Sequence, residues 1–289
     1  MGNNGQPTIL LAMPMYSNAM KSEAAIAWLI TASQQQRCRV IHHNYRSSLL
    51  GRSFNDSWAR ALQGACNGVI THFAMLHADI GPEPNDADGK RVFWLDEMLV
   101  EMERLKADVL SAVVPIKDDR NLTSTAIDDP SDPFEPERRL TMHEVLTKLP
   151  ETFNAMDCYR AGFNPDRHGL LVNTGLMLVD VRGPWIWDDW AASRPIMFTV
   201  NDRIVRKPDG QFVVSVESED WYFSRRANQN RARVYATRKI RLKHYGEIGW
   251  SNAEEFGSWK VDRDKIEETR PADGPLAAEE TKREEVQVE

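Results

Sequence analysis

Apolar and polar positions along the first 115 residues follow two periods in turn, one of strands and one of helices. Thr8 to Met13 is a short apolar run stopped at Pro14, as a buried strand would be. Lys21 to Gln36 follows with Ala24, Ala25, Trp28 and Leu29 on one stripe, which predicts a helix. Arg39 to His42 predicts a second strand, and Ser53 stands where it would cap a helix carrying Trp58, Ala59, Leu62 and Cys66 inward. Val69 to Leu76 predicts a third strand, Val92 to Lys106 a third helix and Val109 to Val114 a fourth strand. This alternation predicts an α/β fold with a mainly parallel central sheet flanked by helices. Open sheets of that kind bind ligands at the carboxyl ends of their strands.

After Pro115 the rhythm breaks. Lys117 to Arg139 is rich in Asp, Pro, Ser and Thr with almost no period, which predicts a long loop, functional or disordered. Thr141 to Leu149 is helix-like, and Leu170 to Val181 holds the turn-prone Asn173-Thr174-Gly175 between apolar runs. Met197 to Val205 and Gln211 to Val216 flank Pro208-Asp209-Gly210, predicting a hairpin and so a small antiparallel addition. Ser218 is placed to cap a helix ending near Asn230. From Asp264 to Glu289 there are nine acidic and four basic residues and no aromatic, which predicts a disordered acidic tail. The expected organisation is a flexible start over 1–7, one domain over 8–263 and the tail over 264–289.

Composition narrows the class. Apolar residues are 42% of 289 and charged residues 27%, an ordinary mixture with enough material for a core. No stretch reaches the roughly 18 consecutive apolar residues of a membrane span. The polar start lacks the basic-then-apolar pattern of a secretion signal. Cys38, Cys66 and Cys158 are odd in number and far apart, which predicts reduced thiols and a cytoplasmic setting rather than a zinc site. The net charge of −7 argues against general polyanion binding. Yet Arg225, Arg226, Arg231, Arg233, Arg238, Lys239, Arg241 and Lys243 form an acid-free run. That run predicts either a solvated face or a grip on donor phosphates or a polyanionic acceptor such as modified DNA. Trp185, Trp187 and Trp190 predict either core packing or a sugar or base platform.

Chemistry enters at the end of the third strand, His77-Ala78-Asp79. A carboxylate there can hold a hard cation against a diphosphate, or it can simply form a turn. Gly51-Arg52-Ser53-Phe54-Asn55, a helix, and then a strand ending His77-Ala78-Asp79-Ile80 resemble the "aRN…A…lDaD" core of GT-A glycosyltransferases, specifically the family-2-type group. Met13-Pro14-Met15-Tyr16 resembles the start of that group's nucleotide pocket. Asn173-Thr174-Gly175-Leu176 resembles its "N-S/T-G-L" strand, Ser218-Glu219-Asp220-Trp221 its "ED" helix head, and Lys243-His244-Tyr245-Gly246 its late "H-x-G". The similarity spans roughly residues 8 to 250, with His77 departing from the usual first Asp.

The resemblance implies a GT-A-type nucleotide-diphospho-sugar transferase fold, divided into a nucleotide-binding half (8–116) and an acceptor and catalytic half (117–263). It implies a nucleotide-sugar donor, carrying UDP or GDP, near Pro14, Tyr16, Arg52, Asn55, His77, Asp79 and Asn173. Mn²⁺ or Mg²⁺ would sit on Asp79 and His244, with the nitrogen ligand favouring Mn²⁺. Asp220 and Glu219 would serve the acceptor, whose class (protein, glycan or modified DNA) stays open. Local alternatives stand beside each role: helix-dipole pairing for Glu219 and Asp220, a salt bridge for Arg52, buried packing for Tyr16, space filling for His77. Two other functions share the frame: a sugar-nucleotide nucleotidyltransferase, disfavoured by the glycine-free stretch after the first strand, and a non-catalytic sugar or nucleic-acid binder.

Overall fold

Strands predicted far apart in the sequence lie side by side in the computed structural model, which describes residues 5–15, 20–34, 37–85, 88–189 and 193–257. Tyr16, Trp190 and the predicted acidic tail fall outside the described residues. In chain order the elements begin β1 (Thr8–Met15), α1 (Ser22–Gln34), β2 (Arg39–Arg46), α2 (Leu50–Cys66), β3 (His72–Leu76), β4 (Ile80–Pro82), α3 (Trp94–Leu105) and β5 (Val109–Ala112). They continue with β6 (Leu122–Ile127), β7 (Arg138–Thr141), α4 (Met142–Thr147), β8 (Thr152–Phe153), α5 (Ala155–Arg160), β9 (Leu170–Leu171) and β10 (Leu176–Asp180). A 3-10 turn at Pro184–Ile186 leads to β11 (Trp187–Asp189), β12 (Arg194–Pro195), β13 (Asn201–Arg206) and β14 (Phe212–Glu217). The last are α6 (Glu219–Gln229), β15 (Val234–Thr237), β16 (Leu242–Tyr245) and β17 (Gly249–Ser251).

The central sheet has the order β2-β1-β3-β10-β5-β15-β8. β2, β1 and β3 run parallel, as do β5 and β15. β10 is antiparallel to both β3 and β5, and β8 is antiparallel to β15. The mainly parallel α/β sheet is therefore present, with a reversed strand at its centre.

Period-two alternation explains why these strands are buried on both sides. Ile9, Leu11 and Met13 of β1 join Ala74 and Leu76 of β3 and Leu176 and Leu178 of β10 on one face, against α1 and α3. Leu10, Ala12, Phe73, Met75, Met177 and Val179 point the other way, against Phe54 and Trp58 of α2 and Phe223 of α6. Three layers result.

Two expectations are corrected. Ser53 is not a helix cap: α2 begins earlier, after an extended Leu49, and the Ser53 hydroxyl donates to the Leu50 carbonyl at 2.7 Å inside the first turn. The stretch 117–139 is not structureless, since it contains β6 and the start of β7. Threonines hide the strand pattern there. Thr123 and Thr125 are buried, and the Thr123 hydroxyl donates to the Leu140 carbonyl at 2.8 Å, so a polar letter occupies an interior position. The hairpin forms as β13 and β14, with Gly210 at φ +89° in its turn, a conformation glycine adopts at little cost. Thr141 caps α4 in a reciprocal capping box with Glu144.

Candidate functional site at the carboxyl edge of the sheet

β3 ends at Leu76, and the chain turns through His77, Ala78 and Asp79 into β4. β4 pairs antiparallel with β16 so that Ile80 faces His244, and the Tyr245 amide donates to the Asp79 carbonyl at 2.8 Å. This register brings residues 165 positions apart together: His244 Nε2 lies 3.3 Å from Asp79 Oδ2. Gly81 permits the close strand approach, because a Cβ there would come within 2.7 Å of Glu23 Cβ and 2.8 Å of Tyr245 Cε2.

The His244 ring is oriented from behind. Its Nδ1 lies 2.8 Å from the Pro115 carbonyl, which can only accept, so Nδ1 carries a proton. The ring's other nitrogen, Nε2, is thereby turned toward the Asp79 carboxylate. Lys117 Nζ sits 2.7 Å from the same Asp79 oxygen. Burial would raise the Asp79 carboxyl, but the contacts from His244 and Lys117 outweigh it and hold the group well below the usual carboxylate range. Asp79 is an anion at any neutral pH.

β10 supplies the next part because it runs backwards. The residues before an antiparallel strand lie at the edge where its parallel neighbours end, so Asn173-Thr174-Gly175 reaches the carboxyl end of β3, and the His77 amide donates to the Gly175 carbonyl at 2.8 Å. Asn173 Oδ1 accepts from the Gly175 amide at 2.6 Å, which leaves Nδ2 to donate to Asp220 Oδ2 at 2.8 Å. The Thr174 hydroxyl makes a short bond to Asp220 Oδ1. A Cβ on residue 175 would lie 2.5 Å from Asn173 Oδ1 and disturb this support.

Asp220 is in the first turn of α6, whose positive end favours an anion. Burial nevertheless pushes its carboxyl up, the Glu219 charge adds to that, and the hydrogen bond from Thr174 offsets only part, leaving it at about 7. Glu219 is also raised, chiefly by burial. His77 joins the two groups: its Nε2 lies 3.4 Å from Thr174 Oγ1, and its ring is 5.2 Å from that of Phe54. Burial lowers the His77 pKa to about 4, so the imidazole is neutral.

The structure thus brings together His77, Asp79, Asn173, Asp220 and His244. Pro14 is buried near the end of β1 opposite Tyr45. Arg52 is exposed on α2. Asn55 is differently employed: its amide accepts from Phe198 N at 2.9 Å and donates to Phe198 O at 2.7 Å, pinning that segment to α2. Lys117 and Thr174 complete the site: in the sequence Thr174 stands only within a motif, with no role of its own, and Lys117 is not singled out. Lys117 opens the aperiodic stretch, and only the folded chain shows that it meets Asp79.

The basic run is spent inside the fold. Arg225 is buried between Asp128 and Glu217, and Arg226 pairs with Asp188, Arg233 with Asp108 and Lys239 with Glu101. Arg241 and Lys243 both face Glu83. Acids distant in sequence pair with six of the eight cations, which lowers the positive charge the run can offer a polyanion. Trp185 is core, 4% exposed and edge-on to Phe223. The cysteines are free thiols, two buried and one exposed.

A second group with metal-compatible atoms, Glu137, Asp166 and His168, lies elsewhere. There His168 Nδ1 is already hydrogen-bonded to Glu137 at 2.8 Å and to the Asp128 carbonyl at 3.0 Å. A cleft of about 580 Å³ opens between α2, α6 and residues 193–197, lined by Trp58, Leu62, Met197, Tyr222 and Arg226 among others. Neither Asp79 nor Asp220 lines it. Among the described residues, no helix is long and apolar enough to cross a membrane.

No protein-family model matches the chain, and no curated protein matches it. Solved structures give distant likenesses. A197 from STIV is 12% identical, with 86% of this chain and 94% of that one covered and a TM-score of 0.44. UDP-glucose pyrophosphorylase complexed with UDP-glucose is 10% identical, with coverages of 83% and 93% and a TM-score of 0.37. Apo UDP-glucose pyrophosphorylase is 11% identical, with coverages of 82% and 76% and a TM-score of 0.33.

Proposed function

We propose that this chain is a glycosyltransferase of GT-A type, moving a sugar from a UDP- or GDP-sugar to an acceptor hydroxyl with the help of Mn²⁺ or Mg²⁺. The observation that carries this reading is the pair Asp79 and Asp220, joined through His77 and Thr174 at one sheet edge and held in opposite protonation regimes. Two carboxylates tuned apart are the mark of a division of labour between charge binding and proton transfer.

Asp79 and His244 would hold the cation. The Asp79 carboxylate and the His244 Nε2 beside it would make a mixed oxygen and nitrogen set that suits it. When bound, the ion neutralises charge on the departing nucleoside diphosphate. Lys117 adds a fixed positive charge at the same oxygen. Neutral His77, beside Thr174 and two residues before Asp79, would contact the donor sugar. Asp220 accepts the acceptor proton, since a carboxyl poised near 7 is both ionised and basic enough at neutral pH. Asn173 and Thr174 fix its orientation, and the neighbouring Glu219 charge keeps its basicity high. The acceptor, whether protein, glycan or modified DNA, approaches from the α6 side.

Calorimetric titration of UDP- and GDP-sugars with and without Mn²⁺ tests this. One donor should bind in a metal-dependent way to the wild type and to Asp220→Asn, and not to Asp79→Asn. Unaltered metal-dependent binding by Asp79→Asn sinks the cation assignment. Pyrophosphate release from a nucleoside triphosphate would instead favour a nucleotidyltransferase, and sugar binding with neither metal dependence nor turnover a binding module.

A further inference from the structure

Arg139 on β7 lies against α6 one residue past Asp220. Its guanidinium carbon is 4.3 Å from the centre of the Trp221 ring. That ring is a fixed platform: Trp221 is 6% exposed, and its indole N–H donates to the Ser124 carbonyl at 3.4 Å. Nearby arginines are matched to carboxylates, Arg138 to Glu144, Arg225 to Asp128 and Glu217, Arg203 to Asp132, and Arg120 to Asp118. Arg139 is different. Among the described residues its side chain makes neither a hydrogen bond nor an ion pair, and its guanidinium rests on the indole face.

Arg139 is only part-buried, and its unpaired guanidinium nitrogens keep contact with solvent, so its N–H groups are open to an incoming anion. Burial, helped by the charge of Arg120, draws its pKa down to about 10, so it stays a cation throughout the neutral range. The closest acids do not satisfy it. Asp118 makes its bonds to Arg120, and Glu135 and Asp220 act only through the field. Stacking on an indole covers one face of the guanidinium and leaves its in-plane N–H fork available. That fork matches the two oxygens of a carboxylate or a phosphate.

We propose that Arg139 is the anchor for an anionic group, a phosphate or a carboxylate, carried by the acceptor. Seating that group on Arg139 sets the acceptor hydroxyl at Asp220, one residue from the platform. The acceptor assignment rests on the transferase reading, whereas the anion site does not. Arg139 would be a specificity residue, and an acceptor lacking the anion would lose affinity at the same donor occupancy.

The test needs no identified acceptor. Inorganic phosphate and malonate are titrated by calorimetry into the wild type, Arg139→Gln and Arg139→Lys, with thermal melting as a check on folding. The wild type should bind one of the two anions. Arg139→Gln should bind it roughly 10- to 100-fold more weakly, and Arg139→Lys, which keeps the charge and loses the fork, should fall between. Preference for phosphate or for malonate identifies which anion the acceptor carries. Equal binding by Arg139→Gln, or binding of neither anion to wild type, overturns the site. A donor titration runs alongside: unchanged donor affinity in Arg139→Gln is expected, and a parallel loss would move Arg139 to the donor and overturn the acceptor assignment. If no donor binds any variant while the anion effect persists, the transferase reading fails and the anion site stands.

Discussion

Asp79 and Asp220 are both half-buried carboxylates at the same sheet edge, linked through His77 and Thr174, yet their surroundings drive them apart. Both are pushed upward by desolvation. Around Asp79 that push meets an ammonium and an imidazole on one oxygen, and the anion wins decisively. Around Asp220 the hydrogen-bond donors are neutral, an amide and a hydroxyl, and a second carboxylate stands beside it, so the proton is held to about 7. Formal charge on the partner, more than depth of burial, separates a group that holds a cation from one that moves a proton.

The sharpest way to break this contrast is to remove the proton acceptor. Asp220→Asn should lower transfer by roughly 10²- to 10⁴-fold while donor affinity holds, measured as single-turnover rate against calorimetric Kd. The wild-type rate should climb with pH, pass half its plateau near 7 and level off about one unit higher, as Asp220 ionises. A rate that is flat between pH 5 and 8, or a fully active Asp220→Asn, removes Asp220 from the chemistry.

Asp79→Asn attacks the other pole. With the anion gone, Lys117 and His244 face a neutral amide, and metal-dependent donor binding should weaken by roughly 100-fold or more. Donor titrations with and without Mn²⁺ measure it. Equal losses in both conditions would show that Asp79 serves the fold rather than the cation.

The same two residues show how much was legible in the sequence. Asp79 and Asp220 stood out through the resemblance of His77-Ala78-Asp79 and Ser218-Glu219-Asp220-Trp221 to GT-A motifs, while the local pattern also allowed a turn former and a helix-dipole pair. The three-layer core was legible from the apolar pattern itself, since β1, β3 and β10 are apolar on both faces. What could not be read was who would meet whom. Lys117 lies in a loop, and nothing local announces that Asp79 would stand beside it. The reversed direction of β10, which delivers Thr174 to Asp220, has no local signature. Whether the basic run was a solvated face or a grip on phosphates stayed open in the sequence because its neutralising acids, Asp108, Glu101 and Glu83, lie more than 100 residues away. Asn55 fitted a donor motif, but its amide matches the Phe198 backbone in both directions.

A stability measurement sharpens the contrast through its sign. A carboxyl raised in the fold binds its proton more tightly folded than unfolded. Stability from Asp220 is therefore fully present below its unfolded pKa of about 4 and is lost as pH rises to about 7. Asp79 has the opposite sign, stabilising above about pH 4 and losing that contribution as pH falls further. Urea midpoints of wild type minus Asp220→Asn should decline from pH 4.5 to pH 7.5, and those of wild type minus Asp79→Asn should stay level over that interval. A rising difference for Asp220 would mean that its carboxylate is stabilised, against the contrast drawn here.

The smallest expected effect falls on the residue that holds Asp220 without touching the metal pair. Asn173 uses its carbonyl on Gly175 and its amide on Asp220. Replacing it with Ala removes one donor to the carboxylate and leaves the short Thr174 bond in place. A lost hydrogen bond to a charged group of this kind should raise the Asp220 pKa by about half to one unit. The ascending limb of the rate profile should therefore move to higher pH by that amount, with the plateau much less affected and the response to Mn²⁺ unchanged. Because the shift reads protonation rather than amount of folded protein, a merely weakened fold would lower the whole curve without moving it. A limb that stays in place would mean that the group titrating near 7 is not Asp220, and Glu219, also raised by burial, would become the proton acceptor to test.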